Sequence, residues 1–200
     1  MIDLVLIVED RLSAVVANIV LKKTGKDYEI RDSLTFPKEK IRKKISDFNR
    51  SSKGFPYFVL TDQNTVNDCP PVEIKRRIEG KRSSNLIYRF AVMEIESWIM
   101  AHRKAFANFL SVPLNRIPLC TDEIEKPKEF LIGLARKSRS SSVRRDIVPP
   151  PGATSAKGPD YNGRLAGFVR QCWDVRRACE HSPSLRRAFR RLREFNPSYG

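Results

Sequence analysis

Residues 2–10 read IDLVLIVED, an unbroken apolar run that stops abruptly on Glu9 and Asp10. A continuous stretch of β-branched residues and leucine is what a strand buried on both faces requires, as in the middle of a parallel sheet. Directly afterwards Leu12, Val15, Val16, Ile19 and Val20 recur at helical spacing, and Gly25 follows Lys22-Lys23, where a helix would stop. Strand, acidic turn, helix is the first half of a βαβ unit.

The pattern repeats outward from there. Tyr28–Thr35 (YEIRDSLT) alternates like a more exposed strand, and Pro37 opens a helical stretch with Ile41, Ile45 and Phe48 on one face. Gly54 closes that helix. Tyr57–Leu60 (YFVL) is a second buried strand and runs into Thr61-Asp62-Gln63-Asn64; Asp68 and Pro70-Pro71 then introduce a short basic helix ending near Gly80. Leu86–Met93 is the next strand. It is predicted to lead into one amphipathic helix whose stripe holds Ile95, Trp98, Ile99, His102, Phe106, Phe109 and Leu110. On that stripe His102 reads as a packed core histidine rather than a ligand. Strands alternating with helices predict an α/β fold, a mainly parallel sheet flanked by helices.

Beyond about residue 111 the strand signal disappears. Lys126–Lys137 reads as a helix, while Arg136–Arg145 (RKSRSSSVRR) and Pro149–Gly158 (PPPGATSAKG) read as loop. Leu165, Phe168, Val169, Cys172 and Trp173 mark a further helix. Ser182-Pro183 is a cap and first turn for a last one, with Leu185, Ala188, Phe189 and Leu192 inside and Arg186, Arg187, Arg190, Arg191 and Arg193 on the other face. The expected division is an α/β domain over 1–110 and a helical, Arg-rich, basic C-terminal region over 111–200 packed on it.

Bulk properties narrow the function. The 200 residues are 40% hydrophobic, enough for a globular core. The apolar run Leu4–Val8 is far shorter than the ~20 residues a bilayer span needs, and Asp3 stands where a signal peptide would carry Lys or Arg. A soluble, cytoplasmic chain with no membrane association is the expectation. Cys69, Cys120, Cys172 and Cys179 form no C-x-x-C pair, and His102 and His181 do not complete a zinc spacing. Cys172 and Cys179, two helical turns apart, are expected to pack as small apolar side chains. The chain carries 38 Lys+Arg against 23 Asp+Glu, a formal net charge of +15, and residues 131–200 hold 15 of the bases against five acids. Such a clustered field attracts polyanions, foremost nucleic acid; the competing readings are a basic surface that only keeps the chain soluble, or an acidic protein partner.

Ligands of open parallel sheets bind beyond the carboxyl ends of the strands. Here those ends carry Glu9-Asp10, Asp62-x-Asn64 and Glu94-x-Glu96. Carboxylates brought together repel unless a cation or a basic side chain sits among them. Oxygen-only ligands without His or Cys suit Mg2+ or Mn2+, and such an ion beside a basic surface is equipment for phosphodiester chemistry. The same acids could instead cap the helices that follow them. Spacing alone leaves both roles open.

VLIVE at Val5–Glu9 and FVLTDQN at Phe58–Asn64 resemble the TOPRIM fold of primases, topoisomerases and overcoming-lysogenization-type nucleases, with a Glu after the first strand and an Asp-x-Asp after a later one. FVLTDQNTVNDC (58–69), MEIESW (93–98) and HSPSLRRAFRRL (181–192) resemble, more specifically, a bacterial TOPRIM-related family of unknown function, often encoded beside ATPase genes of anti-phage defence loci. The likeness covers nearly the whole chain. It implies Glu9 as general acid/base or metal ligand, Asp62 as a Mg2+ ligand, and Glu96 with Glu94 as further acidic members. Two positions depart from the family pattern. Asp10 replaces a glycine that would let backbone approach a phosphate, and Asn64 replaces the second Asp, offering a carbonyl oxygen without charge.

These readings define a Mg2+-dependent nuclease with Glu9, Asp62 and Glu96 catalytic and Glu9, Asp62, Asn64, Glu94 and Glu96 around the metal. Arg144, Arg145, Arg186, Arg187, Arg190 and Arg191 would hold DNA or RNA. The alternative is a catalytically degenerate module that binds nucleic acid or a partner. No G-x-x-x-x-G-K-[ST] loop occurs, so any ATP use requires a separate ATPase partner.

Overall fold

The computed structural model describes residues 1–63, 70–78 and 80–198. Its centre is a four-stranded, all-parallel sheet in the order β2-β1-β3-β4: β1 Ile2–Val8, β2 Tyr28–Thr35, β3 Tyr57–Gln63 and β4 Leu86–Val92. Helices flank it on both faces, so the α/β architecture expected from IDLVLIVED is the observed one. β1 lies between β2 and β3, and Leu4, Leu6, Ile7 and Val8 are fully buried. Each such side chain removed from water contributes roughly 1.5–3 kcal/mol. β2 is an edge strand, which explains its polar, exposed sequence. On it Arg31 pairs with Glu29 at 2.8 Å and with Asp3 of β1 at 3.2 Å.

Side chains alternate between two cores. One face of the sheet (Ile7, Val59, Leu86, Tyr88, Phe90) packs on α2 (Lys38–Ser51) and α3 (Pro70–Arg77) through Ile41, Ile45 and Ile74. The other face (Leu4, Leu6, Val8, Phe58, Leu60, Ile87, Ala91) meets α1 (Arg11–Lys23) and everything after β4. That larger core runs without a break from Leu4 to Phe195, through α4 (Ile95–Met100), α5 (Arg103–Leu110), α6 (Pro127–Arg136), α7 (Ser141–Ile147), α8 (Tyr161–Gln171), α9 (Val175–Cys179) and α10 (Pro183–Glu194). Among the described residues no strand follows β4, and no helix is long and apolar enough to cross a membrane.

Three local expectations change. The single helix predicted after β4 breaks at Ala101-His102, where His102 takes φ −77°, ψ 63°. There its Nδ1 accepts a hydrogen bond from the Asp174 amide at 3.0 Å, so the histidine serves a turn between two helices rather than a continuous stripe. Part of the Ser-rich stretch read as loop is α7, because the Ser140 hydroxyl caps it by accepting from the Val143 amide and Val143 and Ile147 are buried. Cys172 and Cys179 do not share a helix: α8 ends at Gln171, Cys172 is exposed and Cys179 is buried in α9. Cys69 and Asp68 lie outside the described residues. The last helix begins where Ser182-Pro183 predicts, its cap deepened by buried Asp122, which accepts from the Ser182 hydroxyl at 2.6 Å and the Ser184 amide at 2.7 Å.

Candidate active site

Register decides which strand-end acids can meet. β1 and β3 pair Val8 with Leu60, and β3 and β4 pair Asp62 with Ala91, so Glu9, Asp62 and Glu94 leave one edge of the sheet together. Glu9 reaches across to β3 and its Oε1 accepts from the Asp62 amide at 2.8 Å. Asp10 is the residue that caps α1, accepting from the Ser13 amide at 2.8 Å. The capping role that could have explained both acids therefore falls to Asp10, and Glu9 is committed to the strand ends.

After β4 the chain turns through Met93, which is buried and holds a left-handed φ of 65°. A methionine there is strained, and Ser97 secures the turn by donating to the Val92 carbonyl at 2.9 Å and the Glu94 carbonyl at 2.7 Å. The turn delivers two carboxylates. Glu94 accepts from the backbone amide of Lys128 at 2.8 Å and from its ammonium at 3.1 Å, at the start of α6. Glu96, only 2% exposed, lies 3.8 Å from the same ammonium and accepts from the Tyr161 hydroxyl at 3.0 Å through Oε1; its Oε2 is buried without a hydrogen bond.

The electrostatics confirm that these acids sense one another. Burial, then Glu9, Glu96, Asp10 and Glu94 in turn, hold the Asp62 carboxyl well above its ordinary range. Burial raises Glu9 against the opposing Asp62 amide and Lys38, and burial raises Glu96 against the opposing Lys128. Burial alone would lower the Lys128 ammonium, but Glu96 and Glu94 outweigh it and keep it charged. Tyr161 is pushed far above the phenol range by burial and by Glu96.

The predicted acids Glu9, Asp62, Glu94 and Glu96 thus form one electrostatic neighbourhood; Asn64 lies outside the described residues. Among the described residues, no group of three or more His, Cys, Asp or Glu side chains is placed to hold a metal ion. Two interactions account for the spread. One oxygen of Glu9 is held by the Asp62 amide, and Lys128 draws Glu94 and Glu96 toward α6. Lys128 and Tyr161 are site members that the sequence reading missed. Lys128 is one of 38 basic residues and carries no local signature, and Tyr161 follows a Pro/Gly-rich loop where an aromatic reads as core.

The basic residues are carried by separately packed helices. Arg144 and Arg145 are exposed on α7, where Arg144 donates to the Ser138 carbonyl and Arg145 pairs with Asp146 at 2.9 Å. Arg186, Arg187 and Arg190 are exposed on α10, with Arg191 half-buried. Comparison with known protein families, curated proteins and solved structures finds no match for this chain.

Proposed function

We propose that this protein is a divalent-metal-dependent nuclease that hydrolyses nucleic-acid phosphodiesters at the strand-end carboxylates. The observation that carries the reading is the half-buried Asp62, crowded by four other carboxylates and joined to Glu9 through its own amide. A carboxylate so placed stabilises a cation strongly. The donor set fits a hard ion, being oxygen throughout. Asp62, the free oxygen of Glu9 and the orphaned Oε2 of Glu96 do not form a ready-made ligand cluster, so they would have to draw together to hold it. A bound Mg2+ or Mn2+ would neutralise charge on the scissile phosphate and lower the pKa of water. Glu9 is the residue at this edge best placed to move a proton, because burial has already raised its carboxyl. Lys128 keeps Glu94 and Glu96 oriented, and the arginines of α7 and α10 supply attraction for the strand. In the setting the sequence resemblance implies, the chain is a cytoplasmic effector in anti-phage defence that works with a separate ATPase.

A second reading has its own observation. Because Lys128 already offsets the charge of Glu94 and Glu96, a catalytically degenerate module that only binds nucleic acid or a partner would have part of its acidic charge neutralised without a metal. Purified protein, with and without a candidate ATPase partner, incubated with single- and double-stranded DNA and RNA in Mg2+ or Mn2+ separates the two. Chelator-sensitive cleavage is expected, lowered ~10²–10⁴-fold by Glu9→Ala and by Asp62→Ala. Wild type and both variants equally inert on every substrate would leave the binding module standing.

A further inference from the structure

Arg89 sits in the middle of β4 and shares a sheet face with Ile87 and Ala91, both fully buried, beside Leu60 of β3. β4 is the last strand of the sheet, and at that edge the Arg89 Nε is buried without a hydrogen-bond partner. Four more arginines bear on it: Arg82 from the segment before β4, and Arg187, Arg190 and Arg191 from α10. Two of these are fixed in place. Arg82 donates twice to the Leu86 carbonyl, at 3.2 and 2.7 Å, and Arg191 donates to the Ser84 carbonyl at 3.3 Å while lying over the Phe195 ring at 5.5 Å. Among the described residues no carboxylate forms an ion pair with any of the five.

Guanidinium groups gathered without a counter-charge destabilise the fold, and a half-buried one most of all. Burial first, then the four neighbours, bring Arg89 down to about 10, although arginine ordinarily keeps its proton above 12. A native chain that holds such a cluster, with two members oriented by backbone carbonyls, is arranged around an anion that the cluster itself does not contain. Several guanidinium forks at one edge of the sheet, two of them fixed, suit an oxyanion with at least three acceptor oxygens and more than one negative charge.

We propose that the outer edge of β4 carries a phosphate-binding site, built on Arg82, Arg89 and Arg191 and flanked by Arg187 and Arg190. Arg82 and Arg89 extend the basic face of α10 onto the sheet and turn a diffuse attraction into a defined seat. The site rests on the nuclease reading only for the source of the phosphate: the end of a strand, a diester within it, or a free phosphorylated small molecule.

The test uses two probes. With inorganic phosphate against chloride at equal ionic strength, the melting temperature of the wild-type chain should rise. Arg89→Gln should melt higher than wild type in phosphate-free buffer, since it removes an unpaired charge, and should show no phosphate-induced rise. The exposed double variant Arg187→Gln/Arg190→Gln, which leaves the core untouched, should show a reduced rise. A residue that merely supports the fold would not raise stability and abolish the phosphate response together. The second probe is a short oligonucleotide, with 5′-phosphate or 5′-hydroxyl, bound to the Asp62→Ala chain so that nothing is cleaved. Adding Arg89→Gln should lower affinity roughly tenfold, the weight of one charge-assisted hydrogen bond. Preference for the 5′-phosphate assigns the seat to a strand end, and equal binding of both assigns it to an internal diester. Affinity unchanged by Arg89→Gln, with the inorganic phosphate effect still lost, assigns it to a small molecule. No phosphate-induced rise in wild type, or a rise that survives Arg89→Gln, overturns the site. Because none of these measurements requires cleavage, the site stands or falls separately from nuclease activity.

Discussion

At the residue scale, Asp62 combines a place at the end of a buried strand with four acidic neighbours, and the pair of features makes its ionisation a stability term. In the folded chain its carboxyl keeps a proton at pH values where the unfolded chain has released it. The folded state then binds more protons, so the favourable contribution is complete below pH ~4 and is lost as pH rises toward and through the raised folded value. Glu9 and Glu96 are raised too and act in the same direction. Asp62→Asn removes the term, so urea unfolding between pH 4 and 8 should show the variant gaining on wild type as pH rises. A variant that loses ground toward neutral pH would mean that Asp62 is stabilised as a carboxylate. The strand-end acids themselves were legible in the sequence because a hydrophobic run that stops on an acid needs only local reading. That Asp10 caps and Glu9 does not was illegible, since both occupy the same turn and only the Asp62 amide separates them.

At the element scale, the site depends on segments that look incidental. The Pro/Gly-rich stretch before α8 is a loop, as its composition predicts, and its last glycine seats against the end of α7. Gly158 donates its amide to the Ile147 carbonyl at 3.0 Å, and a Cβ on it would fall 2.4 Å from the Ile147 carbonyl carbon and 2.5 Å from the Asp146 oxygen. Three residues later Tyr161 opens α8 and donates to buried Glu96. Gly158→Ala should therefore cost roughly 1–3 kcal/mol, the usual penalty for overpacking against backbone that cannot yield. It should also lower activity more than the stability loss explains, because the Tyr161–Glu96 bond moves with the loop. Denaturant midpoints measured beside cleavage rates check both parts, and an unchanged midpoint would show that α7 and the loop separate freely. The break between α4 and α5 belongs here too. Apolar periodicity continues through His102, so pattern reading joins the helices; at the break His102 is held by a hydrogen bond from the Asp174 amide, 72 residues away.

At the scale of the whole molecule, +10 of the net charge of +15 lies in residues 131–200, whose helices pack on one face of the sheet. Affinity for nucleic acid should fall steeply with salt. Replacing Arg186, Arg187, Arg190 and Arg191 by Gln should make the slope of log affinity against log salt shallower by about one for each phosphate no longer neutralised. The same change at Arg144 and Arg145 should do less, because these side chains are already engaged by Ser138 and Asp146. A salt titration of both variants against wild type decides it, and equal slopes in all three would exclude α10 as the gripping surface.

The sequence by itself determined the strands of the sheet and their parallel arrangement. Its central strands are continuous apolar runs, the edge strand β2 is polar, and most of its helices declare themselves by period and by caps such as Ser182, all properties of neighbours in the chain. It also placed the acids at the strand ends, since where a strand stops is equally local. Only the tertiary structure decided what surrounds them. Strand register put Asp62 beside Ala91 and within reach of Glu9, while α6 and α8 brought in Lys128 and Tyr161 from beyond residue 111. The same packing brought Arg191 of α10 to the Ser84 carbonyl, beside the segment and strand that carry Arg82 and Arg89. Such interactions join residues tens of positions apart, and their energy depends on burial and on the charge of neighbours, quantities that exist only once the chain has folded.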